Sequence, residues 1–396
     1  MRRVRRRGWR AWACWTTVSL SVAALVSGCW DYKDVEHLYY ASTIGVDYRE
    51  HGFTCYVQII NFSPLAKQEE ATNGAEASGS WVGIGTGGTV DEAFHSLYAA
   101  AQRNIFWGQT KAVIVTTHLL KSPSAFAAVI DLLSRFPDTR YSIWLFATPA
   151  PLAKVLSVNP VLENSPVYSV LDNPLDMYRQ SSYVAPVPLY RFMAQSDEPL
   201  TCAYLPLVAP TKDVWLGKDG RPMRSLRLSG AAWLYQGVYL GHLSRLEMAG
   251  WAIVHGQVDR LPVRLQPEGR RSPVVIAHSM GPANIRFVLL HHVWHARLRV
   301  RLGGAIIEQP KVTGRLDMRR ACEHQIAQEI VRTWQIARSR NIDPYGLEGM
   351  FYRSDFHVSL DRLRFLRSLT FDPPEVHVIL TNSGRTNKDA EPFAHR

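Results

Sequence analysis

Thr89-Val90-Asp91-Glu92-Ala93 is the stretch on which the fold turns, because here the apolar pattern changes period. Its S/T-x-x-E spacing is a capping box, in which the threonine hydroxyl and the glutamate carboxylate satisfy each other's backbone N–H. Ala93, Leu97, Ala100 and Ala101 then recur at helical spacing. A strand follows at Ala112 to Thr116, and Ser122-Pro123 supplies an N-cap and a first-turn proline for a second helix with Phe126, Val129, Ile130 and Leu133 on one side. Tyr141 to Ala147 reads as the next strand and Pro149 to Leu156 as a short helix. This alternation predicts a layered α/β domain with helices covering a sheet.

Upstream, Thr43 to Tyr48 and Phe53 to Phe62 read as a hairpin closed by Glu50-His51-Gly52, with Phe53, Cys55, Val57 and Ile59 on one face. Lys67 to Gly88 is polar and rich in Ala, Gly, Ser and Glu, which predicts a mobile loop. Further back, Arg2, Arg3, Arg5, Arg6, Arg7 and Arg10 precede an apolar run from Ala11 to Val26, and Leu25-Val26-Ser27-Gly28-Cys29 closes it. The run is shorter than the ~20 predominantly apolar residues that a spanning helix needs. A positive start, a short apolar core and small residues before a cysteine are the anatomy of a lipoprotein signal peptide. Cleavage between Gly28 and Cys29, with the Cys29 thiol taking a diacylglyceryl group and its amine a palmitoyl chain, is the expectation.

Downstream, prolines crowd between Asn159 and Pro210, which predicts a linker or a small middle domain with a short helix around Tyr183 to Met193. Ser225 to Tyr235 and Val238 to Leu243 flank Gln236-Gly237 as a second hairpin. Ser244-Arg245-Leu246-Glu247 is a second capping box before a short helix. Ile285 to Val300 reads as long strands, continuing to where Leu298, Val300 and Leu302 alternate with Arg297, Arg299 and Arg301, one face buried and the arginines in water. Asp317 to Arg340 is the longest helix, with Ile326, Ile330, Val331, Trp334 and Ala337 as its stripe, and Asn341 with Pro344 stops it. Glu375 to Leu380 closes the chain as a strand.

The fold class expected is therefore α+β (mixed α/β): an N-terminal sheet with covering helices, a Pro-rich middle segment, and a C-terminal antiparallel sheet packed by one long helix. The boundaries are a signal peptide over 1–28, an α/β domain over 29–158, the Pro-rich segment over 159–212, an α+β domain over 213–385 and a flexible tail over 386–396. About 365 residues exceed what one core usually serves.

Charge supports export. The chain holds 45 basic and 34 acidic residues, but six of the arginines and none of the acids lie before Cys29, leaving a mature net of +5. That mild excess suits a protein beside an anionic membrane and argues for no nucleic-acid partner. With Cys14 lost in the leader and Cys29 acylated, Cys55, Cys202 and Cys322 remain, an odd set without a Cys-x-x-Cys pair, so neither a disulfide framework nor a zinc site is expected.

Candidate chemistry is sparse. In His291-His292-Val293-Trp294-His295, a strand would send His291 and His295 to one face and His292 to the other, too few for a metal. Ala277-His278-Ser279-Met280-Gly281 lacks the first glycine of a nucleophile elbow and the helix that should follow. Gly83, Gly85, Gly87 and Gly88 precede a helix, where they could cradle an anion or serve as a hinge. Asn104-Ile105-Phe106-Trp107-Gly108-Gln109 places aromatics at a helix-to-strand junction, either as core or as a docking surface, and Phe106, Trp107 and Gly108 are the candidate partner interface. No catalytic residue, no metal and no cofactor is assigned.

Several of these stretches together resemble the Ger(x)C family, the lipoprotein C subunits of spore germinant receptors. The resemblance is carried by Gly28-Cys29-Trp30-Asp31, Thr43-Ile44-Gly45-Val46-Asp47, Gly88-Thr89-Val90-Asp91-Glu92-Ala93, Arg103-Asn104-Ile105-Phe106-Trp107-Gly108 and Leu133-Ser134-Arg135-Phe136-Pro137-Asp138-Thr139-Arg140. Gly241 to Gly256, with Glu247, Gly250 and Trp251, the long helix and Val376 to Arg385 extend it over nearly the whole mature chain. Gln109 departs from the family, which often has histidine there, as does the Gly349 to Ser354 segment. The resemblance implies a non-enzymatic subunit lipid-anchored at Cys29 on the outer face of the spore inner membrane. It would work through protein contacts with an integral-membrane A subunit and a germinant-binding B subunit. Two rival classes are an exported, tethered hydrolase, which needs His278, Ser279 and a carboxylate in one cleft, and a substrate-binding lipoprotein, which needs two similar lobes.

Overall fold

A computed structural model describes residues 12–21, 38–50, 52–60, 81–136, 139–158, 169–217, 220–265, 274–308, 315–354 and 362–382. The expected tail over 386–396 lies outside the described residues.

The hairpin forms as its alternation dictates. β1 (Leu38–Arg49) and β2 (Gly52–Ile60) pair antiparallel with Tyr48 opposite Phe53, Glu50 takes a positive φ in the turn, and Phe53, Cys55 and Val57 are buried. The stretch expected to be a mobile loop ends instead in a strand, β3 (Trp81–Gly87), antiparallel to β2. Its glycines are explained by the helix on top of it, α1 (Val90–Ala100). A Cβ on Gly85 would run into the Ala93 carbonyl oxygen, and one on Gly87 would stand 2.6 Å from the Ala93 nitrogen. The capping box of α1 closes in both directions: the Glu92 N–H donates to Thr89 Oγ1 at 3.1 Å, and Glu92 Oε2 accepts from the N–H groups of Thr89 at 3.3 Å and Gly88 at 2.8 Å. The glycine run therefore binds its own glutamate and packs a helix, so neither the hinge nor the anion-cradle reading describes it.

β4 (Asn104–Phe106) and β5 (Ala112–Thr116) lie parallel to β1, and β6 (Trp144–Thr148) lies parallel to β5. The helices α2 (Thr117–Leu120) and α3 (Pro123–Arg135) lie between β5 and β6, and α4 (Leu152–Leu156) follows β6. Pro123 opens α3 as expected, but Ser122 makes no side-chain cap bond.

From residue 169 on, the Pro-rich segment packs into the core. α5 (Pro174–Gln180), β7 (Val187–Pro188) and α6 (Leu189–Asp197) bury Tyr178, Tyr183, Val187, Leu189 and Phe192. β8 (Cys202–Leu216), β9 (Pro222–Tyr235) and β10 (Val238–Ser244) then join the first sheet, whose order is β10-β9-β8-β6-β5-β1-β2-β3. The expected boundary at 212–213 thus falls inside β8, and the Gln236-Gly237 hairpin belongs with the N-terminal sheet. Both turn residues have positive φ, as a two-residue hairpin turn requires.

The second sheet contains β11 (Leu261–Arg264), β12 (Val274–Ser279), β13 (Asn284–Leu290), β14 (Val293–Glu308), β15 (Thr370–Phe371) and β16 (Glu375–Asn382). β12 and β13 pair antiparallel with β14, whereas β15 and β16 lie parallel to it. The sheet is mixed, not antiparallel, because the chain crosses over through helices before returning. α8 (Arg315–Ser339) packs Ile326, Ile330, Trp334 and Ala337 into the core, with Val331 half-buried. α9 (Leu347–Ser354) and α10 (Arg362–Ser368) add Phe351 and Phe365.

α7 (Ala249–Val254) joins the two halves. The Ser244–Glu247 pair closes in both directions, with Ser244 N–H donating to Glu247 Oε2 at 2.6 Å and Glu247 N–H to Ser244 Oγ at 3.4 Å, but on the turn ahead of α7, whose own N-cap, Met248, makes no side-chain cap bond. Trp251 meets Tyr204 of β8 edge-to-face at 4.9 Å, while the Gly250 N–H donates to Thr333 Oγ1 of α8 at 3.0 Å. A Cβ at Gly250 would stand 2.6 Å from that hydroxyl and 2.7 Å from the Tyr345 hydroxyl.

Candidate functional site

Gly28 and Cys29 lie outside the described residues. Residues 12–21 form a helix that exposes Trp12, Trp15, Val18 and Leu20. Among the described residues no helix is long and apolar enough to cross a membrane. The first described residue after Cys29 is Leu38, at the head of β1.

The aromatic junction lies beside that point. β4 pairs Asn104, Ile105 and Phe106 with Leu38, Tyr39 and Tyr40. Trp107, which the sequence leaves open between core and docking surface, is only 6% exposed. Its ring packs against Phe94 at 5.3 Å, Tyr98 at 6.1 Å and Phe136 at 6.2 Å, and its Nε1 donates to the Tyr98 hydroxyl at 3.0 Å. The indole is a core residue, which corrects its place in the candidate interface. Phe106 remains half-buried, edge-to-face with Tyr40 at 5.7 Å. Gly108 lies under the Phe106 ring, where a Cβ would be 2.6 Å from Cζ.

The histidine stretch opens in a turn, His291 and His292 having φ of 48° and 63°, and the strand β14 begins only at Val293. His295 stands alone on β14, its Nδ1 2.7 Å from Asp372 Oδ1, while Arg297 Nε donates to Asp372 Oδ2 at 3.0 Å. Burial works against the Asp372 carboxylate, but those two partners outweigh it and hold its carboxyl below the usual range. Asp372 carried no signal in the sequence, because its partners lie some 75 residues away. Among the described residues no group of three or more His, Cys, Asp or Glu is placed to hold a metal.

His278 and Ser279 are neighbours on β12 and so face opposite sides of the sheet. Ser279 Oγ donates to the Gly281 carbonyl at 3.0 Å, and the His278 ring covers Gly303. The thiols of Cys55 and Cys322 are pushed up to about 12, chiefly by burial, which suppresses the thiolate.

These features define a two-sheet mixed α/β protein. The same fold occurs in the solved structure described as the "Crystal Structure of the GerBC protein", with a TM-score of 0.50 and 13% identity, covering 88% of this chain and 100% of that one. Residues 31–210 match the family described as "Spore germination protein N-terminal domain". The "Putative spore germination protein YfkR" of Bacillus subtilis (strain 168) is 22% identical over 379 residues, 91% of this chain and 93% of that protein. Over residues 31–210 the chain is thus similar to the N-terminal domain of spore germination proteins, and it is similar to one such protein along nearly its whole length.

Proposed function

We propose that this chain is the C subunit of a nutrient germinant receptor, acylated at Cys29, held at the outer face of the spore inner membrane, and acting as a scaffold and signalling partner for integral-membrane A and B subunits. The observation that carries this reading is the likeness to a spore germination protein along nearly the whole chain. The leader anatomy around Gly28-Cys29 supports the tether. Two acyl chains and more give firm attachment where one gives only marginal binding.

A role through contacts, without catalysis, is supported by the separation of His278 from Ser279 and by the suppressed thiols. A substrate-binding lipoprotein would need two alike lobes, and the two sheets here differ in strand order. Phe106 and Tyr40, half-buried at the end of the sheet nearest Cys29 in sequence, are the residues we assign to partner contact.

The test is Cys29→Ala in the spore-forming host. The variant should leave the membrane fraction and abolish the response to nutrient. Retained fractionation overturns the tether, and an unchanged nutrient response in a strain lacking the protein altogether overturns the receptor role.

A further inference from the structure

Among the described residues, helices cover the second sheet on one face only. Leu298, Val300, Leu302 and Val378 are buried on one face, where Phe351 of α9 packs on Phe287 and Trp294 and Glu323 of α8 accepts from the Val378 N–H, while the opposite face of β14 presents Arg297, Arg299 and Arg301 in alternation. Along a strand such residues recur about every 6.7 Å. Neighbouring strands add Arg286, directly opposite Arg297 in the antiparallel register, and Arg264 on β11. Like charges at directly opposed positions destabilise a sheet, so this pairing is a cost that packing does not explain. Asp372 and Glu375 neutralise Arg297 and Arg299 through bonds of 3.0 and 2.7 Å. Arg286 and Arg301 are exposed and have no acidic partner among the described residues.

The chemistry of this face selects its occupant. Its cations are all arginines, whose guanidinium forks match phosphate oxygens in pairs. Ile276 lies half-buried beside them, and Ile307 and Ile379 are exposed at 52% and 44%, so apolar surface is interleaved with charge. The face is one side of an open sheet, broad enough to lie on a surface.

The geometry points to this face as a second, electrostatic contact with an anionic phospholipid bilayer, which would fix the orientation of the body on the membrane. This rests on the proposed tether, since attachment at Cys29 would hold the body close enough to the headgroups for short-range electrostatics to act. Each arginine near such a surface strengthens binding about fivefold, so losing two weakens it about 25-fold.

The experiment uses the full chain with vesicles of POPC alone and of POPC with POPG, reading co-sedimentation and phenylglyoxal modification of individual arginines. The expected result is attachment to both vesicle types, with Arg286, Arg297, Arg299 and Arg301 protected only by POPG and Arg320 and Arg332 of α8 reacting throughout. Arg286→Gln with Arg301→Gln should abolish the POPG-dependent protection, whereas Arg320→Gln with Arg332→Gln, equal in charge, should not. Attachment to both vesicles with Arg286 and Arg301 equally reactive overturns the inference and leaves the tether standing. Attachment to POPG vesicles alone, lost in the Arg286/Arg301 variant, upholds the inference and overturns the tether. No attachment to either overturns both. Protection by poly-glutamate or duplex DNA but not by POPG overturns the lipid assignment in favour of that polymer.

Discussion

Trp107 fills the space between α1 and the end of α3, and its hydrogen bond to Tyr98 leaves the indole N–H satisfied inside the core. Trp107→Ala should cost about 3–5 kcal/mol, the range for large aromatic truncations, read from urea denaturation. A loss below about 1 kcal/mol would return the residue to the surface. Sequence could not decide the matter, because the same motif suits an interface anchor, and Phe94 and Phe136 are recognisable as its neighbours only once the helices are placed. The buried cysteines make a second prediction at this scale. With thiols pushed up to about 12 by burial, Cys55 and Cys322 should resist Ellman's reagent in the native protein and react on unfolding in guanidinium. Fast native reaction at either position would contradict their packing.

Among the elements, those set by local bonds were legible and those set by distant partners were not. The β1–β2 hairpin and the two capping boxes declare themselves through alternation and through side chains three residues apart. Thr89→Ala should therefore lower stability by about 1 kcal/mol, with Thr89→Ser restoring most of it in the same melt. β3 escaped because Gly83, Gly85 and Gly87 look like a loop until α1 is laid on them; Gly85→Ala should displace that helix and weaken amide protection across it, whereas Gly237→Asn in the β9–β10 turn should be tolerated. The prolines misled for a related reason. Pro123 and Pro174 occupy first turns, and Pro206 and Pro210 lie in β8, which meets β6 only through Leu207 and so has few donors to lose on that side. The parallel return of β16 was hidden because nothing in a strand's own residues names its partner.

Asp372 gives the second sheet a pH dependence whose sign can be worked out. Its carboxyl is held below the unfolded value of about 3.9, so its contribution is present above that pH and is lost as pH falls through the lower folded value. Asp372→Asn should flatten the stability profile on the acid side of about pH 4 and leave its shape near neutrality unchanged. A profile with the same acid limb in the variant would assign that limb to other carboxylates.

At the scale of the molecule, the mixed α/β class and the long C-terminal helix followed from periodicity, but the division into domains did not. β8 to β10 restart the strand pattern in sequence while completing the first sheet in space, and α7 carries Trp251 to one half and Gly250 to the other. A chain cut between residues 212 and 213 severs β8, so neither piece should give a cooperative melt alone. Two sharp, independent transitions from those pieces would restore the boundary.

The position of β1 bears on how the protein withstands force. It is the strand nearest Cys29, and it is laced along both edges, to β2 on one side and to β4 and β5 on the other. Tension from an acyl anchor would reach the body along that strand's own axis, loading two ladders in shear at once. Rupture then requires many backbone bonds to fail together, whereas an edge strand peeled from its end would give way one bond at a time.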